Sequence, residues 1–434
     1  MAAKRFTVIT LGCKVNRTQS DALAAALRAQ GAEPSHLSTA ELVIVNTCTV
    51  TAEADAKSRK AIRRAAGSSL QPWVIVTGCG AALDCAQFAD SGERVLLIPN
   101  RDLARDKALE LLGIAGTRNE RPNRFGRGFR TRVTLLAQDG CDNACSYCVV
   151  PLVRGCAQSV PPSRVVSQLK QARQAGAREI VLAGIDLGAY SAEGLSLVGL
   201  IARLLAEGDD FRIRLSSVEL RSLDDGVLEL MAGSNGRLCA HLHIPLQSGS
   251  DRILAAMRRN YRVQDYLERI AQAKKLLNNL AITSDCIVGF PGETDDDFDQ
   301  TRAACIQAGF SRIHVFRYSK RPHTAAARLP GHLDGATLVA RSANLRQLAA
   351  RLKSDDALQR VGTVEQLLIE RPGIGRSESY HLVEVADAPA VGALCAAQLF
   401  DFKNGKLLGR RIPTSATPRC AVVEDCLLKP AGVR

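Results

Sequence analysis

Along the first hundred residues, short and mainly apolar runs alternate with stretches whose apolar residues recur at helical spacing. The runs at residues 6–11, 42–46 and 73–77 predict buried strands. The stretches at 21–30 and 52–66 predict helices. Continuous apolar strands that alternate with helices are typical of parallel βαβ units, because helices cover both faces of a parallel sheet. The start of the chain therefore predicts a parallel α/β domain.

The same alternation returns in the middle of the chain. Strands are expected in six segments, at residues 132–137, 179–183, 212–215, 239–244, 282–288 and 312–316. Between them lie stretches whose apolar residues recur at helical spacing, such as 163–175 and 263–277. Six strands joined by helices predict a parallel (βα) barrel or an open part of one, with its chemistry at the carboxyl ends of the strands.

Beyond a charged helix expected at residues 338–358, the apolar period changes to two. Residues 364–369, 380–385 and 394–402 predict strands, and Asn404-Gly405 is a strong signal for a tight hairpin. A small antiparallel β-barrel of the kind that binds nucleic acids fits this pattern. A dimerisation module has a similar composition.

These patterns divide the chain into four parts. They are an α/β domain at 1–115, a linker at 116–131, a (βα) partial barrel at 132–358 and a small barrel at 359–430. The linker is rich in arginine and has no apolar period. The arginine side chains of the linker are either solvated or in contact with the phosphates of a bound partner.

Charge and composition narrow the choice of partners. Lys and Arg number 57 against 44 Asp and Glu, a net charge of +13 that favours a polyanionic partner. No run approaches the roughly 18 apolar residues of a membrane helix, and no signal peptide is recognisable at the start. We therefore expect a cytoplasmic protein that does not associate with membranes.

Cysteines supply the strongest chemical signal. Cys141, Cys145 and Cys148 form a C-x₃-C-x₂-C run among the chain's 14 cysteines. Iron–sulfur clusters normally take four cysteines and structural zinc takes four protein ligands, so three thiolates leave one coordination position unfilled. The site is either incomplete or open to a substrate.

A second set of three cysteines lies upstream. Cys13, Cys48 and Cys79 each follow a predicted strand, where open α/β sheets place their ligand sites. Two open clusters in one chain indicate redox chemistry on a bound substrate. The other cysteines are expected to be inert packing or surface residues.

The central cysteine run resembles the radical S-adenosylmethionine signature, with Tyr147 at its typically aromatic position. The whole chain resembles the methylthiotransferase family. The segments that carry this likeness are Leu11-Gly-Cys-Lys-Val-Asn16, Asn46-Thr-Cys-Thr-Val50, Thr77-Gly-Cys79, His243-Ile-Pro-Leu-Gln-Ser-Gly-Ser-Asp251 and Ile287-Val-Gly-Phe-Pro-Gly-Glu-Thr294. The resemblance implies an auxiliary-cluster domain, a radical partial barrel and a C-terminal TRAM domain that binds RNA.

The resemblance also implies roles by position. The radical [4Fe–4S] cluster, whose fourth iron binds S-adenosylmethionine, would be held by Cys141, Cys145 and Cys148. The auxiliary [4Fe–4S] cluster would be held by Cys13, Cys48 and Cys79. Segments that match the S-adenosylmethionine pocket contain Gln247, Ser248, Gly249, Gly289 and Glu293.

Lys14-Val15-Asn16 is similar to the branch of the family that acts on N6-threonylcarbamoyladenosine in tRNA. The implied reaction is radical methylthiolation of C2 of that base at tRNA position 37, 3′ of the anticodon. The implied partners are tRNA, an electron donor such as flavodoxin or ferredoxin, and an unknown sulfur donor. The alternatives are isopentenyladenosine in tRNA, a ribosomal-protein side chain, or a non-enzymatic metal-stabilised RNA-binding protein.

Two further features are expected to have ordinary structural roles, and a third departs from the family's pattern. His241 and His243 alternate on a predicted strand and are expected to line the core or a pocket wall rather than bind metal. Glu219 is expected either to contact the cofactor or to form a salt bridge. After Pro151 the chain keeps only Arg154-Gly155 of the family's usual pattern.

Overall fold

A computed structural model describes residues 4–84, 86–114, 131–277 and 279–412. These residues form two compact units. Unit 1 contains the described residues up to 114 together with Gly140–Cys156 and Ser319–Ala327. Unit 2 contains residues 131–139, Ala157–Tyr318 and residues 328–412. The linker expected at 116–131 lies outside the described residues except for residue 131, and so does the end of the expected C-terminal barrel after residue 412.

Unit 1 is built on a five-stranded parallel sheet in the order β2-β1-β3-β4-β5. Its strands are β1 (Arg5–Thr10), β2 (Glu33–Pro34), β3 (Leu42–Thr47), β4 (Trp73–Gly78) and β5 (Val95–Leu97). Its helices are α1 (Lys14–Ala29), α2 (Ala52–Ala66), α3 (Cys79–Leu83), α4 (Arg101–Leu111) and α5 (Val150–Arg154). Thr10 pairs with Asn46 and Asn46 with Thr77, so the carboxyl ends of β1, β3 and β4 lie side by side.

Helices on both faces explain why the central strands of unit 1 have apolar residues at consecutive positions. Leu42 and Ile44 of β3 pack into one core cluster, while Val43 and Val45 pack into another. Successive side chains of a strand point to opposite faces, so both sets must be apolar when both faces are covered. The N-terminal parallel α/β fold predicted from the sequence is confirmed.

The first part of unit 2 is an open half-barrel. Its strands and short strand pairs are β6 (Arg132–Leu136), β7 (Gln138–Asp139), β8 (Gln158–Ser159), β9 (Glu179–Ala183), β10 (Ser191–Ala192), β11 (Leu195–Ser196), β12 (Arg212–Leu215), β13 (His241–His243), β14 (Ala281–Val288) and β15 (Arg312–Arg317). Parallel pairing joins β6-β9-β12 and β13-β14-β15. Bridges from Ile213 to Leu238 and from Ser217 to His243 connect the two sheets.

Helices connect the strands of this half-barrel, and a long helix follows it. They are α6 (Pro162–Gln174), α7 (Leu197–Leu205), α8 (Asp225–Gly233), α9 (Asp251–Ala256), α10 (Val263–Leu276), α11 (Asp295–Ala308) and α12 (Gly335–Gln359). Six parallel strands in chain order confirm the predicted partial barrel. At the start of α11, Thr294 and Asp297 form a reciprocal capping box that satisfies backbone N–H groups.

The last described residues of unit 2 form a closed five-stranded barrel in the order β16-β17-β18-β20-β19. Its strands are β16 (Val364–Arg371), β17 (Ile374–Ser377), β18 (Leu382–Val385), β19 (Leu394–Lys403) and β20 (Lys406–Ile412). Asn404 and Gly405 both have positive φ, as the predicted tight turn between β19 and β20 requires. The predicted small barrel is therefore confirmed, but it is not wholly antiparallel, because β18 and β20 pair in parallel.

Several element boundaries differ from expectation, and two of the differences have a clear physical reason. Helix α1 begins at Lys14, after the N-cap residue Cys13, rather than at residue 21. Its first two turns bury the polar residues Asn16, Thr18 and Ser20, so they do not show the apolar period by which a helix is recognised. Strand β18 begins at Leu382 rather than at residue 380, because Tyr380 has a φ of 74° that no strand residue adopts. Among the described residues, no helix combines the length and apolarity needed to cross a bilayer.

Candidate active site

The three upstream cysteines lie at the carboxyl edge of the unit 1 sheet. Cys13 is the N-cap residue of α1, Cys48 follows β3, and Cys79 opens α3. Their strands are neighbours in register, which places their loops side by side. The structure therefore brings together three residues that are far apart in the sequence.

Glycine allows two of these loops to approach each other. Gly12 has a φ of 93°, and a Cβ at this position would lie 2.7 Å from Cys48 Cβ and 2.8 Å from its Sγ. Gly78, just before Cys79, has a φ of 91°. L-residues with a side chain rarely adopt this conformation, so the close contact of the cysteine loops depends on glycine.

Burial controls the protonation of the upstream thiols. Cys48 and Cys79 are 3% and 5% exposed, whereas Cys13 is exposed. Burial raises the pKa of Cys48 to about 11, and the neighbouring thiols of Cys13 and Cys79 contribute to the rise. Burial also raises the pKa of Cys79, while the positive charges of Arg154 and Arg101 oppose the rise. A metal centre would displace these protons, because thiols ligate metals as thiolates.

The side-chain amide of Asn16 connects all three cysteine loops. Its Nδ2 donates hydrogen bonds to the carbonyl oxygens of Leu11 and Thr47, at 2.8 and 2.9 Å. Its Oδ1 accepts from Cys79 Sγ at 3.8 Å and from the guanidinium of Arg154. The sequence motif that contains Asn16 does not reveal this role, because the partners of Asn16 come from four separate segments.

The second set of cysteines lies in the loop Gly140–Cys156 of the same unit. Cys141 N donates to Gly155 O at 3.1 Å, which closes the loop. Cys141 Sγ accepts hydrogen bonds from the backbone and side-chain nitrogens of Asn143, at 3.4 and 3.3 Å. Cys148 Sγ accepts one from Val150 N at 3.4 Å. N–H donors stabilise thiolate sulfur and tune the potential of an iron–sulfur cluster.

The segment Ser319–Ala327 touches both sets of cysteine loops in unit 1. Ser319 Oγ accepts from Ala52 N at 2.8 Å, and Ala326 N donates to Ser146 O at 2.7 Å. Arg321 donates to Thr49 O at 3.1 Å and forms a buried ion pair with Asp55. Sequence patterns do not reveal this role, because the segment is far along the chain from either set of cysteines.

Donor chemistry at both sites fits an iron–sulfur cluster with one open iron. Each site offers three thiols, and soft thiolate ligands select iron–sulfur clusters or zinc. The cysteines of the central loop are partly exposed, so an exogenous ligand has access to the fourth position. Next to Cys48, the hydroxyl of Thr49 is buried without a hydrogen-bond partner, as a group that bonds to a bound ligand would be.

The predicted S-adenosylmethionine-binding residues lie in two loops of unit 2. Gly249 N and Ser248 Oγ bond to Thr301 Oγ1 at 2.9 and 3.3 Å. Gly289 N donates to the carboxylate of Glu293 at 2.6 Å. The first two contacts hold one loop against α11, and the third lies within the other loop. A role of Ser248, Gly249 and Gly289 in binding the cofactor remains a prediction.

The other two residues of this group are also largely buried. Gln247 is 8% exposed, with a φ of 67°. Burial raises the pKa of Glu293, while its hydrogen bond from Gly289 and its ion pair with Arg341 at 2.6 Å oppose the rise. Their cofactor role also remains a prediction. Of the two roles considered for Glu219, the structure shows the salt bridge, with Arg259.

Comparison with known proteins agrees with this geometry. Residues 135–305 match the family described as Radical SAM superfamily, and residues 5–98 match Uncharacterized protein family UPF0004. Among solved structures, the radical S-adenosylmethionine methyltransferase TsrM from Kitasatospora setae superposes with a TM-score of 0.53. The match covers 86% of this chain and 80% of that one at 15% identity, which shows a shared fold.

Several curated relatives are similar over most of their length. The threonylcarbamoyladenosine tRNA methylthiotransferase MtaB of Bacillus subtilis (strain 168) is 36% identical over 387 residues, 83% of this chain and 84% of the relative. The enzyme of the same name from Thermotoga maritima is 35% identical, covering 76% and 78%. The tRNA-2-methylthio-N(6)-dimethylallyladenosine synthase of Endomicrobium trichonymphae is 32% identical, covering 84% and 88%. The chain therefore belongs to the radical SAM methylthiotransferases, enzymes that work with S-adenosylmethionine and [4Fe–4S] clusters.

Proposed function

We propose that this enzyme methylthiolates C2 of N6-threonylcarbamoyladenosine at position 37 of tRNA. The likeness to two relatives named for threonylcarbamoyladenosine tRNA, at 36% and 35% identity, carries the proposal. Lys14-Val15-Asn16, which resembles the same branch, supports it. The product is the 2-methylthio derivative of that nucleoside.

Two cysteine sets divide the chemistry between them. The radical cluster is assigned to Cys141, Cys145 and Cys148, and the auxiliary cluster to Cys13, Cys48 and Cys79. When bound, S-adenosylmethionine at the first cluster would supply the radical that activates an unreactive C–H bond, the second cluster would supply sulfur, and a second S-adenosylmethionine would supply the methyl group. The chain positions these groups: N–H donors support the sulfurs of the radical loop, and Asn16 and Arg154 join that loop to the auxiliary loops.

Binding of tRNA is assigned to the C-terminal barrel and the arginine-rich linker. The proposed divisions are an auxiliary domain at 1–115, the linker at 116–131, a radical domain at 132–358 and a TRAM-like domain at 359–430. The net charge of +13 supports a polyanionic partner. Affinity for tRNA is expected to fall by roughly 0.7–0.9 log units per neutralised phosphate for each tenfold rise in salt. Salt-insensitive binding would contradict this assignment. Flavodoxin or ferredoxin is proposed as the electron donor.

The test is mass spectrometry of nucleosides from the tRNA of a strain without this gene. Loss of 2-methylthio-N6-threonylcarbamoyladenosine, and its return on complementation, is the expected result. Complementation with Cys145→Ala must fail, whereas Cys156→Ala, which removes an exposed cysteine at the end of the same loop, must restore the nucleoside. An unchanged tRNA profile would overturn the proposal and direct attention to ribosomal proteins.

A second candidate substrate is N6-dimethylallyladenosine in tRNA. The observation in its favour is the 32% identity to a relative named for that nucleoside. The same experiment separates the two, because each 2-methylthio product has its own mass. Loss of the dimethylallyl product alone would replace the leading proposal with this one.

A further inference from the structure

The concave face of the unit 2 half-barrel is occupied at one end by the ring of Tyr380. The guanidinium groups of Arg132, Arg214 and Arg312 lie 5.6, 5.0 and 5.8 Å from the centre of this ring. His241 stacks on it at 5.0 Å. These four side chains come from β6, β12, β13 and β15, from one edge of the row of strands to the other. Side chains from both edges reach one ring only from the concave face.

One layer closer to the carboxyl ends of the strands lie three metal-ligating side chains. His243, Asp285 and His314 belong to β13, β14 and β15, and Asp285 pairs directly with His314. His243 and His314 are two positions beyond His241 and Arg312. Because side chains alternate along a strand, all three point to the same concave face.

The distances between their donor atoms are short. One ligand atom from each of His243, Asp285 and His314 lies within 4.8 Å of the other two. His243 Nε2 is 3.3 Å from Asp285 Oδ1. The rings of His243 and His314 lie edge to face, with their centres 5.8 Å apart. Small side-chain rotations would therefore bring all three onto one ion.

We propose that His243, Asp285 and His314 bind a divalent first-row transition metal ion such as Zn²⁺. Two imidazoles and one carboxylate on one side of an ion form a facial donor set that leaves positions for water or another oxygen ligand. Mg²⁺ and Ca²⁺ prefer oxygen ligands alone, so two imidazoles disfavour them. The absence of a thiol from this donor set distinguishes it from the cysteine sites, which favour softer centres.

The surroundings of the triad resemble those of a metal-binding histidine. His243 Nδ1 hydrogen-bonds to Thr283 Oγ1 at 2.9 Å, which fixes the ring with Nε2 towards Asp285. Such outer partners orient metal ligands and fix their tautomer. Asp285 is 27% exposed and His314 is exposed, so an ion has a path of entry. All three residues lie on strands, which hold a site more rigidly than loops do.

A simple histidine–carboxylate pair would account for only part of this arrangement. It explains His243 and Asp285, whereas His314 is placed at the same level by a third strand. Sequence reasoning expected His243 to line a core or pocket wall. The pattern of a single strand does not show the other two ligands, because Asp285 and His314 come from segments far along the chain.

The test is zinc binding by the anaerobically prepared holoenzyme. Zn²⁺ is titrated in competition with a chromophoric chelator, and iron is measured in parallel so that displacement from the clusters is detected. The wild type is expected to bind one equivalent of Zn²⁺ at this site, and His314→Ala is expected to bind that equivalent more weakly. Asp285→Asn is expected to weaken binding of this zinc ion by at least about tenfold, because even the loss of an outer partner of a metal ligand costs about 10–100-fold. His36→Ala, an exposed histidine of unit 1, serves as the matched control and must bind like the wild type.

Zinc X-ray absorption gives an independent readout of the ligands. A first shell of nitrogen and oxygen that includes two imidazoles is expected. Equal zinc binding by the wild type, His314→Ala and Asp285→Asn, at unchanged iron and circular dichroism, would overturn the proposal. A sulfur shell around zinc would also overturn it, because the ion would then be at the cysteines. Neither result depends on the identity of the tRNA substrate.

Discussion

The two cysteine sites of unit 1 present the same ligands but are built in different ways. Cys141, Cys145 and Cys148 lie in one short loop, and the sulfurs of Cys141 and Cys148 accept hydrogen bonds from residues two positions away. The upstream site takes one cysteine from each of three strand ends, and Cys48 and Cys79 are buried there. The first site is local to the sequence, whereas the second is assembled by the sheet.

This difference determines what each site depends on. The geometry of the local site depends on the turns of its own loop and on the N–H groups that donate to its sulfurs. The assembled site needs the sheet register, a glycine where two loops touch, and the amide of Asn16 that connects them. A mutation that disturbs the packing of unit 1 should therefore affect the auxiliary site before the radical site.

Removing a ligand from the local site should have the largest effect. In Cys148→Ala, both methylthiolation and the formation of 5′-deoxyadenosine are expected to fall to background, because every later step needs the radical. Iron should fall by about half, since one of two four-iron clusters is lost. Assay of both products and of iron provides the check. Cys156→Ala is the control, and retention of 5′-deoxyadenosine by Cys148→Ala would contradict the assignment.

Removing a ligand from the assembled site should separate the two activities. Cys48→Ala is expected to lose the methylthio product and about half of the iron, yet to keep forming 5′-deoxyadenosine. The reason is that the radical loop keeps all three of its own ligands. Cys395→Ala, a buried cysteine of the C-terminal barrel, is the control for loss of a buried thiol. Equal loss of both products in Cys48→Ala would show that the sites are not separable.

A smaller change should distort the assembled site without removing a ligand. Gly12→Ala combines a positive φ with a contact to Cys48, so we expect a destabilisation of about 1–3 kcal/mol and preferential loss of the auxiliary cluster. Gly31→Ala is the matched control, because Gly31 has a φ of 88° but a Cβ added there would have no neighbour within 4 Å. Urea unfolding and iron content measure the difference. Equal effects of the two substitutions would mean that the contact with Cys48 is unimportant.

The smallest effect concerns proton binding in the cluster-free protein. Because burial raises the pKa of Cys48 to about 11, its thiol is neutral at pH 8 and becomes a reactive thiolate only as the pH approaches that value. Alkylation of Cys48 by iodoacetamide should therefore accelerate by about tenfold per pH unit between pH 8 and 10. Peptide mass spectrometry measures the rate. A rate that levels off near pH 8 would contradict the assigned burial.

Some of this architecture was accessible from the sequence because its causes are local. The apolar runs predicted the strands of both α/β parts, since a strand buried on both faces has few polar positions. Asn404-Gly405 predicted the turn of the small barrel, since both residues tolerate positive φ. The loop with Cys141, Cys145 and Cys148 was visible for the same reason, because its three cysteines lie within one short segment.

Other features were hidden because their causes are distant in the chain. Arg214, on a strand, is completely buried and donates to the carboxylate of Glu179 at 2.9 Å and to Ser377 O at 2.9 Å. Burial alone would raise the pKa of Glu179, but Arg214 and Arg212 outweigh it and hold the pKa well below its usual range. Burying a charge without a partner costs several kcal/mol of folding free energy. Arg214 can therefore be buried only because partners from other segments pair with its guanidinium.

By itself, the sequence determined the order of strands and helices, the open ligand set of the central loop and the strand-end positions of the upstream cysteines. Periodicity and short-range spacing suffice for these features, because neighbours along the chain decide them. Only the tertiary structure decided that Asn16 connects the cysteine loops, that Arg321 pairs with Asp55, and that two histidines and an aspartate share one concave face. Each of these contacts depends on strand register and loop packing. They bring together residues that are far apart in the chain, so no local sequence pattern predicts the contact.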